Sequence, residues 1–309
     1  MTALRIQSLC KRFGRTVAVQ DVSLNVERGQ LYGLLGPNGA GKTTTLSCAL
    51  GLQRPDAGSI SVLGVPAAQI HRLAGKVAVV FDQPTLVRGL TVAQNLAYAQ
   101  RLLGHKGGRT PAEALKLAGI ADLAQRRAGR LSLGQSRRLA IARALMGRPE
   151  FLILDEPLSG LDTLGVTSML ALFADLRDQG MTLMLSSHRL HELERIVTHV
   201  GVLIGGRVVR EATLPEILHG VAGQLRVTVD DVPRARTALE GLGGVVLGRS
   251  DEARGILRLD PGPSGAPAIT RTLVEAGCAV SAIEPRRSGL QSAFETLLEE
   301  YGTPETERP

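Results

Sequence analysis

A glycine-rich segment near the N-terminus contains one lysine and two threonines in a spacing that can hold phosphate. It follows an apolar run at 31–35 and precedes a helical run at 44–50. In this strand–loop–helix context, backbone N–H groups and the positive end of a helix converge on phosphate oxygens. Lys42 can then reach the β- and γ-phosphates of a nucleotide, and the Thr43 hydroxyl can bind Mg²⁺. The predicted nucleotide-binding residues are Gly36, Pro37, Asn38, Gly39, Ala40, Gly41, Lys42, Thr43 and Thr44.

Two acidic residues follow a second apolar run and complement this loop. Asp155 and Glu156 come after Phe151–Leu154, a continuous apolar stretch typical of a buried strand. An acid at the carboxyl end of a strand points into the crevice where α/β sheets bind ligands. We therefore predict that Asp155 contacts Mg²⁺ through water, beside the Thr43 hydroxyl, as such aspartates do in P-loop enzymes. Glu156 has no such role and is free to orient or deprotonate an attacking water.

Alternating strands and helices over residues 1 to 217 must position these groups. Their pattern predicts an α/β sheet that is covered on both faces. The stretch from about 91 to 147 is predicted to be mostly helical, and it opens on a capping box formed by Thr91 and Gln94. The predicted central strands are 31–35, 151–154, 181–185 and 200–204.

The pattern changes after residue 220. Leu225, Val227 and Val229 alternate with polar residues, which predicts a half-buried strand. The elements that follow complete the order βαββαβ with a trailing helix, which is typical of a small ferredoxin-like α+β domain. We therefore predict a linker at 218–223, a small α+β domain at 224–301 and a flexible tail at 302–309.

The composition excludes several classes of protein. Hydrophobic residues make up 44% of the 309, which rules out a wholly disordered chain. The net charge of +7 favours an anionic partner, but aromatic residues are 3% of the chain and Trp is absent, which disfavours base stacking on nucleic acid. The three cysteines lack ligand spacing and fit a reducing compartment. With a charged N-terminus and no apolar run near ~18 residues, the chain is expected to be soluble and cytoplasmic.

Further motifs identify a resemblance. The segment Leu131-Ser132-Leu133-Gly134-Gln135 resembles the signature motif of ATP-binding cassette (ABC) ATPases, and it opens a helix ahead of the acidic strand. The segment 159–162 resembles the D-loop of that family, and His188 after a strand resembles its switch histidine. Phe13 stands where the family keeps its adenine-stacking aromatic residue. The resemblance covers about residues 3–217 and implies a P-loop NTPase cassette with a mixed sheet and a helical subdomain.

The resemblance also implies roles for individual residues. Two chains would sandwich two ATP molecules, with each site built from one P-loop and the signature helix of the other chain. ATP would be the substrate and Mg²⁺ the metal. The implied catalytic residues are Glu156, His188 and Lys42, and the implied signature and D-loop residues are Ser132, Gly134, Gln135 and Asp162.

Two positions depart from the family pattern. Leu133 replaces the usual signature glycine, as in ATPases of the bacitracin-resistance and lantibiotic-immunity type, so we expect activity to be retained. In the glutamine loop, alignment of the run 90–92 favours Asp82 at the position that senses Mg²⁺ and contacts the membrane partner. An acid there can still approach the metal. Gln83 takes this place if the loop is shifted by one residue.

Several arginines flank the signature. Charged residues on a helix face are solvated as a rule and contribute little to stability. We therefore expect most of them to be exposed, with one or two that meet an acidic partner. The residues concerned are Arg126, Arg127, Arg130, Arg137 and Arg138.

The function implied by the resemblance is ATP hydrolysis that drives a separate membrane permease. The sequences of segments 186–194 and 289–294 resemble those of export-type systems, so we expect efflux of a drug, antibiotic, lipid or polysaccharide. The chain would pair with a second copy or a paralogue, on the cytoplasmic face of the membrane and without nucleic acid. Its C-terminal domain would stabilise or regulate the dimer. The alternative is a non-transport ABC ATPase that acts on the ribosome or nucleic acid, for which the positive charge is the sole support.

Overall fold

The structure is a computed structural model that falls into two units by its internal contacts. The first unit comprises Met1–Leu214 with the chain from Leu297 onward, and the second comprises Pro215–Thr296. The described residues are 1–83, 85–104, 108–219, 224–285 and 289–301.

The predicted domain boundary at 217 differs from this division. Residues Leu214–His219 form one helix, so the predicted linker at 218–223 begins inside a helix, and its residues 220–223 lie outside the described ones. The predicted tail at 302–309 also lies outside the described residues.

The first unit contains two sheets and a helical region. Its strands are β1 (Thr2–Phe13), β2 (Thr16–Glu27), β3 (Leu31–Leu35), β4 (Ala57–Val62), β5 (Val65–Pro66), β6 (Val77–Val80), β7 (Phe151–Asp155), β8 (Thr182–Ser187), β9 (His199–Ile204) and β10 (Arg207–Thr213). Its α-helices are α1 (Lys42–Ala49), α2 (Val92–Leu103), α3 (Pro111–Leu117), α4 (Leu133–Leu145), α5 (Thr163–Asp178) and α6 (Leu190–Leu193), and α7 (Leu214–His219) begins at its boundary.

The larger sheet has the strand order β10-β9-β3-β8-β7-β6 and is parallel except at β10. Strands β3, β7 and β8 are buried along their whole length, as expected of continuous apolar runs with both faces covered. Because they run parallel, their carboxyl ends meet at one edge, where Leu35 pairs with Ser187 and Asp155 pairs with Ser186. This edge positions the candidate site. The four predicted central strands are confirmed.

The smaller sheet is antiparallel, with the order β2-β1-β4-β5. Its inward side chains and those of the larger sheet share one apolar core with α1. Tyr32 of β3 is fully buried, and its hydroxyl donates to Glu211 Oε1 at 2.9 Å. Burial raises the pKa of Tyr32 well above its usual value, so the hydroxyl remains a donor.

The predicted helical region contains α2, α3 and α4. Helix α2 begins with the predicted capping box, in which the Thr91 side chain accepts from Gln94 N and the Gln94 side chain accepts from Thr91 N. Apolar residues of the three helices form their own core. Across the described ranges, none of the helices has both the length and the apolar character that a bilayer crossing requires. Members of the helical core include Val92, Leu96, Ala114, Leu115, Leu139 and Ala142.

The second unit has its own sheet and core. Its antiparallel strand order is the one found in ferredoxin-like folds, with two helices as the crossover elements. Val227, Leu257, Ile269 and Leu273 are fully buried in its core. The elements are β11 (Leu225–Val229), α8 (Val232–Glu240), β12 (Val246–Asp251), β13 (Ile256–Asp260), α9 (Gly265–Glu275) and β14 (Val280–Pro285), and α10 (Leu290–Tyr301) begins here. The strand order is β12-β13-β11-β14.

Candidate functional site

The glycine-rich loop joins the end of β3 to the start of α1. A Cβ atom at Gly36 would lie 2.3 Å from the carbonyl oxygen of Leu203 in β9, so this close approach requires glycine. Gly41 has a φ of 102° immediately before the helix, a conformation that other residues rarely adopt. Lys42 is 7% exposed, and its Nζ donates to the carbonyl oxygens of Gly36 and Pro37 at 2.7 and 3.2 Å. The loop therefore wraps around its own lysine.

Thr43 and Asp155 meet across the sheet edge. Thr43 Oγ1 donates to Asp155 Oδ2 at 3.2 Å, and Ser186 Oγ of the neighbouring strand donates to Asp155 Oδ1 at 2.5 Å. Hydroxyl and carboxylate oxygens are ligands that Mg²⁺ prefers, with phosphate oxygens and waters completing its octahedron. The donor set predicted from the sequence therefore fits a magnesium ion bound beside the loop.

Glu156 has an unusual backbone conformation directly after β7. Its φ is 48°, in the left-handed region that costs a non-glycine residue about 1–3 kcal/mol. Its N–H group contacts the carbonyl oxygen and the Oγ of Ser186 at 3.2 and 3.0 Å. Its carbonyl oxygen accepts from Arg137 Nη1 of α4 at 2.5 Å. The surrounding structure thus holds this residue from both sides.

The Glu156 carboxylate lies between two of the predicted catalytic residues. His188 Nδ1 is 2.9 Å from Glu156 Oε2, and Lys42 Nζ is 3.7 Å from Glu156 Oε1. The His188 side chain is half-exposed, whereas Lys42 is buried. The carboxylate therefore lies between the lysine of the glycine-rich loop and an accessible imidazole, a placement that suits a general base for water.

Arg137 is not solvated, and it agrees with the expectation that one or two of these arginines meet an acidic residue. It is 4% exposed, and its Nη2 forms an ion pair with Asp82 Oδ1 at 2.9 Å. Arg138 is half-buried and donates to carbonyl oxygens of Ala118 and Ser168, so it is not simply solvated either. The expectation of exposure is met by the other three arginines of the group: Arg126, Arg127 and Arg130.

The two candidates for the glutamine-loop position lie in different surroundings. Asp82 follows β6 and faces Arg137 through the ion pair. Gln83 is exposed and lines a groove of about 260 Å³ with Phe81, Ala99 and Leu102. Asp82 is thus the one that is linked to Glu156 at the end of β7, through Arg137.

The predicted signature residues lie at the start of α4. Ser132 Oγ accepts from Gln135 N at 3.3 Å, and Ser132 N donates to Gln135 Oε1 at 3.1 Å, so the two residues form a capping box. Ser132 is exposed, and Leu133 beside it is 45% exposed. Within the described residues, neither Ser132 nor Gln135 hydrogen-bonds to the loop at 36–44. A helix start of this kind binds anions.

The segment that resembles the D-loop packs against the signature. A Cβ atom on Gly160 would lie 2.8 Å from Leu133 Cδ2, so the leucine occupies the space that glycine leaves. Asp162 caps α5, because its Oδ1 accepts from Gly165 N at 2.8 Å. Ser132, Gly134 and Asp162 line a shared cavity of about 410 Å³.

Phe13 lies at the end of β1, in the hairpin beside the loop. Its ring is 48% exposed, and Lys11 Nζ lies 5.5 Å from the ring centroid. The hairpin reaches the loop, since a Cβ atom on Gly41 would lie 2.5 Å from the carbonyl oxygen of Ala18 in β2. An aromatic face is therefore available near the loop, and its stacking on adenine stays a prediction.

Sequence reasoning missed the roles of two residues in this site. Ser186 binds both Asp155 and Glu156, and only strand pairing reveals this contact. Arg137 carried a weak signal, because it lies four residues before Ile141 and eight before Leu145, on the buried stripe of α4. A charged residue on an apolar stripe predicts a buried partner.

The fold and this site define a class: a buried parallel strand that ends in a lysine-bearing glycine loop, faced by an acidic strand end, is typical of P-loop nucleoside triphosphatases. Residues 19–159 match the family described as ABC transporter. The chain is 33% identical over 241 residues to the bacitracin transport ATP-binding protein BcrA of Bacillus licheniformis, with 77% of this chain and 79% of the relative covered. It is 33% identical over 208 residues to the lantibiotic transport ATP-binding protein SrtF of Streptococcus pyogenes, with 67% and 90% covered.

Solved structures show the same likeness. The dimeric, post-hydrolysis state of the ATP-binding cassette MJ0796 bound to ADP and Pi superimposes with a TM-score of 0.61 at 25% identity, covering 68% of this chain and 98% of that one. The chain belongs to the ABC transporter family, as an ATP-binding subunit of the kind that hydrolyses ATP. The predicted resemblance, the cassette fold and the ATPase activity are confirmed, and the non-transport alternative is not favoured.

Proposed function

We propose that this chain powers the export of a drug, antibiotic, lipid or polysaccharide through a separate membrane permease, on whose cytoplasmic face it is bound. The names of BcrA and SrtF, which refer to bacitracin and lantibiotic transport, support antimicrobial peptides as the substrate class. ATP hydrolysis by this chain is supported above all by the position of the Glu156 carboxylate between Lys42 and His188.

The residues of the site suit hydrolysis of the γ-phosphate. The loop amides and Lys42 bind the phosphates, and Glu156 accepts a proton from the attacking water while His188 orients the carboxylate. Thr43 and Asp155 would hold Mg²⁺, which supplies neutralisation of phosphate charge when bound. Phe13 would stack on the adenine. The carboxylate and the lysine are both in place in the chain by itself.

The proposal includes a pair of cassettes, either two copies of this chain or this chain with a paralogue. Ser132, Gly134 and Gln135 would contact the γ-phosphate held by the other cassette, and Asp162 would lie at the same interface. The exposure of Ser132 and the positive end of α4 support this role. The dimeric cassette that is similar to this chain provides a precedent for such a pair.

The permease would dock on the groove lined by Gln83, Phe81, Ala99 and Leu102. This groove lies between the end of β6 and α2, and its walls include exposed apolar side chains, with Leu102 being 67% exposed. Exposed apolar surface of this kind marks interaction sites. A cytoplasmic helix of the permease is the occupant that we propose, with Asp82 as the glutamine-loop residue.

The experiment that tests this function begins with the tagged full-length chain in its native membrane. We expect purification in mild detergent to retain an integral-membrane companion, and the reconstituted pair to hydrolyse ATP faster than the chain alone. ATP should also drive a bacitracin-like peptide across the proteoliposome membrane. Recovery with ribosomes or nucleic acid instead, with no membrane protein present, would contradict the proposal.

A further inference from the structure

Two side chains outside the phosphate loop hold the backbone of Glu156, and one of them belongs to an ion pair with Asp82. The backbone of Glu156 is held at φ 48° by Ser186 on one side and by Arg137 on the other. The contact with Ser186 lies within the sheet, in which β7 and β8 are paired neighbours. The hydrogen bond from Arg137 instead comes from α4, the helix that begins with the signature. Arg137 thus links the helical region to Glu156.

Burial of the Arg137 side chain carries a large desolvation cost. It is 4% exposed, and its Nε has no hydrogen-bond partner among the described residues. A buried guanidinium needs a counter-charge, which Asp82 supplies at 2.9 Å. An apolar side chain of similar volume commonly stabilises such a position as well or better. Stability alone therefore gives no reason for an arginine at this site.

The guanidinium joins two segments that lie far apart in the sequence. Its Nη2 holds Asp82, in the loop after β6, and its Nη1 holds the carbonyl oxygen of Glu156. Because the guanidinium is planar and rigid, its two Nη atoms move together. A displacement of Asp82 therefore moves the donor that restrains Glu156.

We propose that Arg137 is a positioning residue that couples the loop at Asp82 to the catalytic Glu156. Gln83, the next residue of that loop, lines the groove in which the permease would dock, so occupation of the groove would reach the general base through one ion pair and one hydrogen bond. This coupling rests on the proposed role of Glu156 as general base.

The test measures steady-state ATPase activity of the full-length chain and its affinity for a fluorescent ATP analogue. R137M removes both Nη contacts and keeps the length of the side chain. We expect kcat to fall about tenfold, while KM and the affinity for the analogue stay within about twofold, since the loop amides and Lys42 are untouched. Should R137M fail to fold, R137Q carries the same test with a loss of about threefold in kcat at unchanged KM.

A double-mutant cycle tests the link to the loop. D82A releases Arg137 from the loop but leaves it within reach of Glu156, so we expect kcat to fall about threefold. The double variant D82A/R137M should match R137M alone, because both changes act through one connection. Losses that multiply would show that Asp82 and Arg137 act independently, which would overturn the coupling.

R109M is the matched control. Arg109 is half-buried and donates to the carbonyl oxygen of Leu145 at 2.8 Å, at the far end of α4 from the signature. We expect R109M to leave kcat within about twofold of the parent. An equal fall of kcat in R109M and R137M, or an unchanged kcat in R137M, would overturn the positioning role.

The E156Q variant, measured in parallel, distinguishes the role of Glu156 as general base from the coupling through Arg137. Turnover that survives in E156Q would contradict the general base, and with it the proposed function. An inactive E156Q together with a fully active R137M would overturn the coupling alone. An inactive E156Q with the kcat-specific loss in R137M supports both.

Discussion

The loop side of the site and the signature side differ in where their polar groups find partners. Lys42 and Asp155 are 7% and 6% exposed, and both have partners on other elements of the chain. Lys42 Nζ lies 3.7 Å from Glu156 Oε1, and Asp155 accepts from Thr43 and Ser186. Ser132 is exposed, and its side chain bonds within the first turn of its own helix. The polar groups of the loop side thus find their partners within this chain, whereas the helix start on the signature side is open to a ligand from outside. This asymmetry is what a site shared between two cassettes requires.

The largest effect should come from the loop side. E156Q removes the proposed proton acceptor and keeps the shape of the side chain, so we expect phosphate release to fall about 100-fold or more while ATP still binds. Light scattering should then show an ATP-dependent dimer, because the bridging nucleotide persists.

The control for this variant is E150Q. Glu150 pairs with Arg28 and Lys76 at the surface, and we expect its change to leave turnover within about twofold of the parent. Hydrolysis at the parent rate in E156Q would refute the assignment of the base.

A smaller effect is expected on the signature side. S132A and T110A each remove the capping hydroxyl of a capping box, at α4 and α3, and should each cost about 1 kcal/mol of unfolding free energy. Only Ser132 is proposed to meet the γ-phosphate of the other cassette. We therefore expect kcat to fall about tenfold in S132A but not in T110A, as measured by the release of phosphate. Equal activities in the two variants would make Ser132 a helix cap and nothing more.

A smaller loss of ATPase activity is expected when the contact between the signature and the D-loop segment is changed. G160A places a methyl group against Leu133 Cδ2, at a residue with φ of 69°, and we expect about a threefold loss of ATPase activity. Adding L133A relieves the overlap but not the backbone strain, so activity should recover in part. A double variant no more active than G160A would show that the leucine–glycine packing is without consequence.

The smallest effect should follow removal of the second unit. We predict that this unit stabilises or regulates the dimer, since it has a core of its own and no part in the site described above. A chain that ends at residue 220 also lacks the part of the first unit from Leu297 onward. In the E156Q background, it should dimerise about threefold more weakly with ATP. Unchanged dimerisation of this chain, with an unchanged ATPase rate in the parent background, would contradict that role.

Local sequence was enough to predict the four central strands of the larger sheet and the motifs beside them. The phosphate loop, the acidic strand end and the capping box at Thr91 are local patterns, because apolar runs, glycine spacing and cap residues act over a few neighbours. The family resemblance followed from the order of these motifs, and the comparisons confirmed it.

The contacts between groups that are distant in the sequence depend on how the strands and helices pack. The pairing of β7 with β8 brings Ser186 to Asp155, and the packing of α4 brings Arg137 to Asp82 and to the strained Glu156. No local pattern encodes these contacts, since their partners are separated by whole strands and helices, and strand order sets which of them meet. The ion pair of Arg137 is the clearest case: its burial depends on two elements that the sequence separates by 55 residues.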